Sequence, residues 1–227
     1  MKRFLASALR EAAQLGAISV SLNASAFLKS VQYSPDELAL IEEMIRGQSD
    51  NDVWRDLRRP IISASKFYAV CARMRSIEKD SSASVETLLE DMTSSKEISN
   101  TATDWGLRKE RKARTMYRTI ERKKHRKLEV DELGLTISSD RPYLGCSVDG
   151  IVRCGCHETR LLEIKCPYAL RGIHPREAAL QRGCKVGDDG ELYLTQGSQY
   201  YHQVQCQMGV MNIQRCDFLF YTTKMNA

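Results

Sequence analysis

The stretch Tyr143–Pro167, YLGCSVDGIVRCGCHETRLLEIKCP, limits what this chain can fold into more than any other. Val148, Gly150 and Val152 alternate with Asp149 and Ile151, and Leu162 and Ile164 alternate with Glu163 and Lys165, the period-two pattern of two strands. The polar knot CGCHET between them predicts a hairpin that turns over about Cys156. That register sets Asp149 directly opposite Glu163 and puts Glu163 and Lys165 on one face. Like charges directly opposite each other destabilise a sheet, so the pattern expects a cation between the two carboxylates. The plain alternative is a surface hairpin on which Asp, Glu and Lys, common on exposed strands, fall together by chance.

Oxygen ligands of this kind suit Mg²⁺ (or Mn²⁺), which keeps several waters and takes one or two protein carboxylates together with substrate phosphate. Such an ion acidifies water and neutralises phosphate charge, and a neighbouring lysine can hold or deprotonate the attacking water. Asp149, Glu163 and Lys165 therefore have the parts for metal-assisted phosphodiester hydrolysis.

The rest of the chain narrows the class. Its 227 residues, 42% hydrophobic, suffice for one substantial core with an appended N-terminal helical piece. No run of apolar residues reaches membrane-spanning length, so no membrane role is expected. The N-terminal MKRFLASALREAAQLGAISVSLNASAF is interrupted by Arg10 and Glu11, which argues against a secretory signal. An ordinary amphipathic helix is expected there, with a mitochondrial presequence as the alternative. Eight irregularly spaced cysteines read as free thiols in a reducing compartment, hence an intracellular protein of nucleus or cytoplasm. Cys154, Cys156 and His157 invite zinc, but a structural zinc site needs a second ligand pair, and none is evident nearby in the sequence.

Ser34-Pro-Asp-Glu37 has capping-box spacing with proline at the first helical position, and the helix runs through ELALIEEMIRG to a glycine stop. After the polar connector QSDND come Trp54, Leu57 and Arg58, then ISAS and a helix over SKFYAVCARMRSIEK. A serine such as Ser65 at a helix start caps it, and the free amides there attract anions, so Ser65 with Arg58 forms a candidate phosphate pocket. A plain N-cap beside a solvated arginine is the alternative. KDSSASVETLLEDMTSSKE reads as a linker around one short helix, and Thr103-Asp104 as the cap of the next. On that helix Gly106, Ala113, Tyr117 and Ile120 recur at helical spacing, and Glu110 shares their face. A carboxylate there needs a partner, either an arginine or a metal.

From Arg108 to Lys127 there are eleven Lys/Arg and two Glu, a net +9 in a chain of net +5, which leaves about −4 elsewhere. A solvated charged face is the usual meaning of such a run. Packing this charge into about 30 Å of helix is self-repulsive, however, and fits a polyphosphate lying alongside. Arg108, Lys109 and Lys112 are the candidate phosphate contacts. The lack of interleaved aromatics favours a duplex backbone over stacked single strands. Further on, GLTIS and CDFLFYTT read as strands, HPREAAL as a short helix, KVGDDGELYL as a hairpin, and the segment from Ser198 as a helix.

The run SVDG…LLEIKCP resembles the core motif of the lambda-exonuclease-type (YqaJ-like viral recombinase) branch of the PD-(D/E)XK nuclease superfamily. WRDLRRPIISAS (Trp54 to Ser65), WGLRKERKAR (Trp105 to Arg114) and YYHQVQCQM (Tyr200 to Met208) resemble that branch's other motifs in the same order. The resemblance implies an α/β (α+β) restriction-endonuclease-like core, a mixed central sheet flanked by helices. It implies a nuclease domain over 51–227, shortened at its C-terminus relative to relatives that continue with more sheet and a helix, after a helical extension over 1–50. By the same resemblance the Ile164 carbonyl joins Asp149 and Glu163 on the metal, Glu110 completes the site directly or through water, and Arg58 and Ser65 grip a 5′-phosphate. Gln203 orients the water or a phosphate oxygen. The implied activity is Mg²⁺-dependent 5′ to 3′ digestion of double-stranded DNA from its ends, with a homo-oligomer and a recombination partner protein as further expectations. The competing expectations are a catalytically inactive DNA-binding module derived from a nuclease, and a zinc-stabilised interaction domain.

Overall fold

A computed structural model describes residues 32–44, 61–93 and 100–224. The expected N-terminal helix over the first residues, the connector QSDND, Trp54, Leu57 and Arg58 lie outside the described residues. The centre is a mixed sheet of four strands in the order β2 (Glu129–Asp131), β5 (Gly150–Arg153), β6 (Arg160–Lys165) and β9 (Cys216–Phe220). β2 and β6 flank β5 antiparallel, while β9 runs parallel to β6. A second sheet joins β1 (Ile62–Ser63), β4 (Leu144–Ser147) and β3 (Leu135–Ile137), and β7 (Cys184–Val186) with β8 (Leu192–Leu194) forms a separate hairpin. This is the mixed α/β core, flanked by helices, that the sequence leads one to expect.

Period two divides the central strands between two cores. Val152, Leu162 and Ile164 point to one face, where Ala113 and Tyr117 of helix α4 (Thr101–Glu121) pack on them. Ile151 and Leu161 point to the other, against Ala64, Cys146, Val148 and Cys206, the last from helix α6 (Gln199–Met211). Each such aliphatic side chain contributes roughly 1.5–3 kcal/mol by leaving water, so the two helices are held to opposite faces of one sheet. A smaller core of Ile61, Leu135 and Ile137 is covered by Leu38 and Ile41 of helix α1 (Pro35–Met44).

The strand read through Val148–Val152 is in fact broken. The chain leaves one sheet at Ser147 and enters the other at Gly150, so Val148 and Asp149 form the joint. Val148 is drawn into the core beside α6, and the Asp149 N–H turns to the Leu162 carbonyl at 3.1 Å. Beyond the joint the expected register holds: Gly150 faces Leu162, Ile151 faces Leu161 and Val152 faces Arg160. Extending this pairing one residue puts Asp149 across from Glu163.

Helix ends follow the capping chemistry in part. Ser34 and Glu37 exchange side-chain-to-amide bonds of 3.2 and 2.7 Å, a complete capping box on α1, whose described part ends at Met44 before the expected glycine stop. Helix α4 begins earlier than Thr103-Asp104 suggested, because the Asn100 side chain accepts from the amides of Ala102 and Thr103 at 2.9 and 3.0 Å. Helix α2 (Phe67–Lys79) follows a 3₁₀ turn over Ala64–Lys66, and no serine side chain caps either. Helix α3 (Glu86–Thr93) is the short helix of the polar linker. Helix α5 (Pro175–Leu180) carries its proline in the first turn, and Ser198 caps α6 through the Tyr201 amide. The Asp-Gly turn between β7 and β8 has Gly190 at φ +80°, a conformation glycine takes without strain.

Candidate active site

Strand β6 carries Glu163 and Lys165 on its α6-facing side, continuing the alternation begun by Leu161. Glu163 is only 2% exposed, yet it is fully dressed with donors. Its Oε1 accepts Lys165 Nζ at 2.5 Å and Gln203 Nε2 at 2.6 Å, and its Oε2 accepts Gln207 Nε2 at 2.6 Å. Lys165 also donates to Gln203 Oε1 at 3.0 Å and lies 5.2 Å from the centre of the Tyr200 ring. Gln203 and Gln207 are one turn apart on α6, so a single helix face supplies both amides. Asp149, 9% exposed, accepts the Ile164 N–H on Oδ2 at 2.5 Å.

Glu110 reaches the edge of this group from α4, where its carboxylate takes Arg114 one turn on at 2.7 Å. Arg114 in turn pairs with Glu132. The arginine foreseen as one of the two partners for Glu110 is thus present, and the carboxylate still senses the charges of Glu163 and Lys165.

The electrostatics are those of crowded acids around one ammonium. Burial pushes the Asp149 carboxyl well above the usual carboxylate range, and the charges of Glu163 and Glu110 push it further, against Lys165 and the Ile164 N–H. Burial raises Glu110 as well, with Arg114 opposing. Burial alone would lower the Lys165 ammonium, but Glu163 and Asp149 outweigh it and the pKa rises. Burial and the charges of Glu110 and Asp149 drive the neighbouring Cys166 thiol up to about 12, so it stays neutral. A dication placed among these carboxylates relieves their mutual repulsion, and a donor set of carboxylate oxygens with a backbone carbonyl suits Mg²⁺ or Mn²⁺. The side-chain Oε1 of Gln207, buried without a hydrogen-bond partner, adds one more oxygen near Glu163 that a water or ligand can use. The residues fit the ion.

Of the sequence-derived candidates, Asp149, Glu163, Ile164, Lys165 and Gln203 converge in one place, and Glu110 stands beside them. Ser65 lies in the 3₁₀ turn that packs against α6, where its hydroxyl meets that of Ser63 at 3.1 Å rather than capping a helix. Arg58 lies outside the described residues. On α4, Arg108 Nε donates to the Asp104 carbonyl at 3.2 Å, Lys109 stands 4.6 Å over the Trp105 ring, and Lys112 is exposed. Gln207, Tyr200 and Arg114 were not singled out by sequence. The spacing of Gln207, four residues after Gln203 on the same stripe, was the available signal.

A mixed sheet with one buried carboxylate just before a strand and a second, with a lysine, on the strand beside it, joined by a third acid from a packed helix, is the arrangement of the PD-(D/E)XK nucleases. Within that class the chain belongs to the YqaJ-like viral recombinase domain family, which matches residues 53–223. Among solved structures, the alkaline exonuclease LHK-Exo of Laribacter hongkongensis is 26% identical, with 77% of this chain and 76% of that chain covered at a TM-score of 0.51. Its complex with dAMP superposes with the same values. The protein in a SOX–DNA complex, 16% identical, shares the fold at a TM-score of 0.50, covering 90% of this chain and 63% of that one. No curated protein matches the chain. Among the described residues no helix is long and apolar enough to cross a membrane.

Proposed function

We propose that this protein is a Mg²⁺-dependent deoxyribonuclease that digests linear duplex DNA 5′ to 3′ from its ends. The observation that carries the reading is the convergence of Asp149, Glu163 and Lys165, with Glu110 beside them. Asp149, Glu163 and the Ile164 carbonyl would hold the ion, with Glu110 reaching it through water. When bound, the ion acidifies a water and neutralises charge on the phosphate. Lys165, hydrogen-bonded to Glu163 and Gln203, positions or activates the attacking water. Gln203 bridges Lys165 and Glu163, so its amide fixes the direction in which the ammonium points. The exposed lysines and arginines of α4 offer a track for phosphates, and the kinship with an alkaline exonuclease supports attack from an end.

The test is digestion of end-labelled linear duplex against closed circular DNA, with Mg²⁺ or with chelator. The expected result is loss of 5′ label as mononucleotides from linear DNA, an intact circle, no reaction under chelation, and a rate lower by about 10²–10⁴-fold in Lys165→Ala. Cleavage of the circle would replace the exonuclease reading with an endonuclease. Binding without cleavage in the wild type would leave a DNA-binding module.

A further inference from the structure

The hairpin tip that leads β5 into β6 carries Cys154, Cys156 and His157, a set that lacks a fourth ligand in sequence. The fold supplies it. Helix α4 ends at Glu121, the chain turns, and His125 is delivered to the tip across a separation of about thirty residues. One ligand atom from each of the four side chains, two imidazole nitrogens and two sulfurs, lies within 4.8 Å of every other.

We propose that His125, Cys154, Cys156 and His157 form a closed tetrahedral zinc site that staples the end of the basic helix to the tip of the hairpin bearing the catalytic carboxylates. The geometry is close to what zinc requires. Bonds of about 2.3 Å to sulfur and 2.0–2.1 Å to nitrogen give tetrahedral edges of roughly 3.3–3.8 Å. The Cys154–Cys156 sulfurs are 3.5 Å apart, His125 Nδ1 is 3.3 Å from Cys156 Sγ, and His157 Nδ1 is 3.8 Å from Cys154 Sγ. The remaining pairs lie within 4.8 Å of one another, and the exposed side chains of Cys156 and His157 can move to close them.

The surroundings are those of a metal site. His125 turns Nδ1 to the sulfurs and Nε2 to Glu121 Oε2 at 3.1 Å and Arg160 at 3.4 Å. A metal on Nδ1 puts the ring proton on Nε2 and so selects the Glu121 bond, the carboxylate–histidine pairing that orients a ligand imidazole. Arg160, itself tied to Asp217 at 2.6 Å, directs a second nitrogen to Cys154 Sγ at 3.7 Å and steadies a thiolate there. With both cysteines bound as thiolates and both imidazoles neutral, Zn²⁺ carries no net charge there, any remaining thiol proton passing to solvent. Four protein ligands close the shell, which makes the site structural and chemically separate from the oxygen site on the other end of the strands. Along β6 the two are on the order of 10–20 Å apart at about 3.3 Å per residue. The consequence is mechanical: the helix that presents positive charge and the hairpin that presents the carboxylates share a fixed angle.

Metal analysis of the full chain, purified under reducing conditions without added metal, is expected to find about one zinc per chain. After chelation and loading with Co²⁺, the wild type should show sulfur-to-cobalt charge transfer and strong tetrahedral bands, which carboxylates alone do not produce. Asp149→Ala should keep both signals, whereas His125→Ala and Cys156→Ser should lose them. Glu121→Gln should weaken zinc binding by about 10–100-fold in a chelator competition, the range for an outer partner of a ligand histidine. Absence of zinc, a cobalt spectrum without the sulfur band, or recovery of Cys154 and Cys156 as a disulfide would overturn the proposal. The cobalt spectrum is read on the wild type, so misfolding of a variant leaves the decision intact.

Discussion

Replacing Gln207 with leucine separates orientation of the site from stability of the fold. Gln207 has no exposure, donates to Glu163 Oε2 at 2.6 Å, and leaves its own Oε1 without a partner. Losing a hydrogen bond to a charged group removes about 1.5–3 kcal/mol, while losing an unsatisfied buried oxygen returns about 1–3 kcal/mol. The two nearly cancel, so unfolding of the metal-free protein should shift by no more than a few degrees, at about 2–4 °C per kcal/mol for a domain of this size. Glu163 nevertheless loses the donor that holds Oε2 and keeps only those on Oε1. If the bond serves orientation in the reacting complex, its loss appears in kcat at about 10- to 100-fold, 1.4 kcal/mol being tenfold. Steady-state digestion of a linear duplex at saturating Mg²⁺, beside thermal unfolding of the same samples, measures both. Wild-type rates together with a large fall in Tm would show that Gln207 is only packing and refute the reasoning.

Asp149→Asn should abolish digestion yet raise the Tm of the metal-free protein at neutral pH. The folded Asp149 carboxyl holds its proton above the unfolded value of about 3.9, so its contribution is full below that pH and is lost as pH rises through the raised pKa. The wild type without metal should therefore lose stability upward through that window, and the variant should lose less; a Tm rising with pH there contradicts this. Lys165→Ala should cut cleavage by about 10²–10⁴-fold while a gel-shift assay still finds duplex binding, since its role is at the water. Lys112→Ala should weaken duplex binding and lower the log–log salt slope by about 0.9, one phosphate contact, as measured by fluorescence anisotropy across salt. Tyr117→Phe removes the bond to Asp217 and should cost about 0.5–1.5 kcal/mol in urea unfolding, with Arg160 still holding Asp217.

Much of the site was legible because its signals are local. Alternation in β5 and β6 and the position of the polar knot fix the register from adjacent residues alone, and Asp149, Glu163 and Lys165 follow. Gln207 was harder, since on a helix stripe its fate depends on what β6 places underneath. The joint at Val148–Asp149 was missed because alternation reads the same whether a strand continues or changes sheets. β2 was also unforeseen: Glu129–Asp131 is three residues with acids at both ends, and it exists because β5 offers an edge. Asn100 outcompeted Thr103 for the cap by reaching two amides at once. The meeting of His125 with Cys154 and Cys156 had no trace in the letters, as it depends on how the end of α4 lands on the hairpin.

The bond between Asp149 Oδ2 and the Ile164 amide does more than close the seam between two sheets. It commits one carboxylate oxygen to the backbone, so in the proposed metal arrangement Asp149 would meet an ion chiefly through Oδ1. Calcium, with its six to eight oxygens and taste for two-toothed carboxylates, would be served poorly by such a ligand. The smaller, water-keeping magnesium would not need them, so the strand amide would bias the proposed site toward that ion.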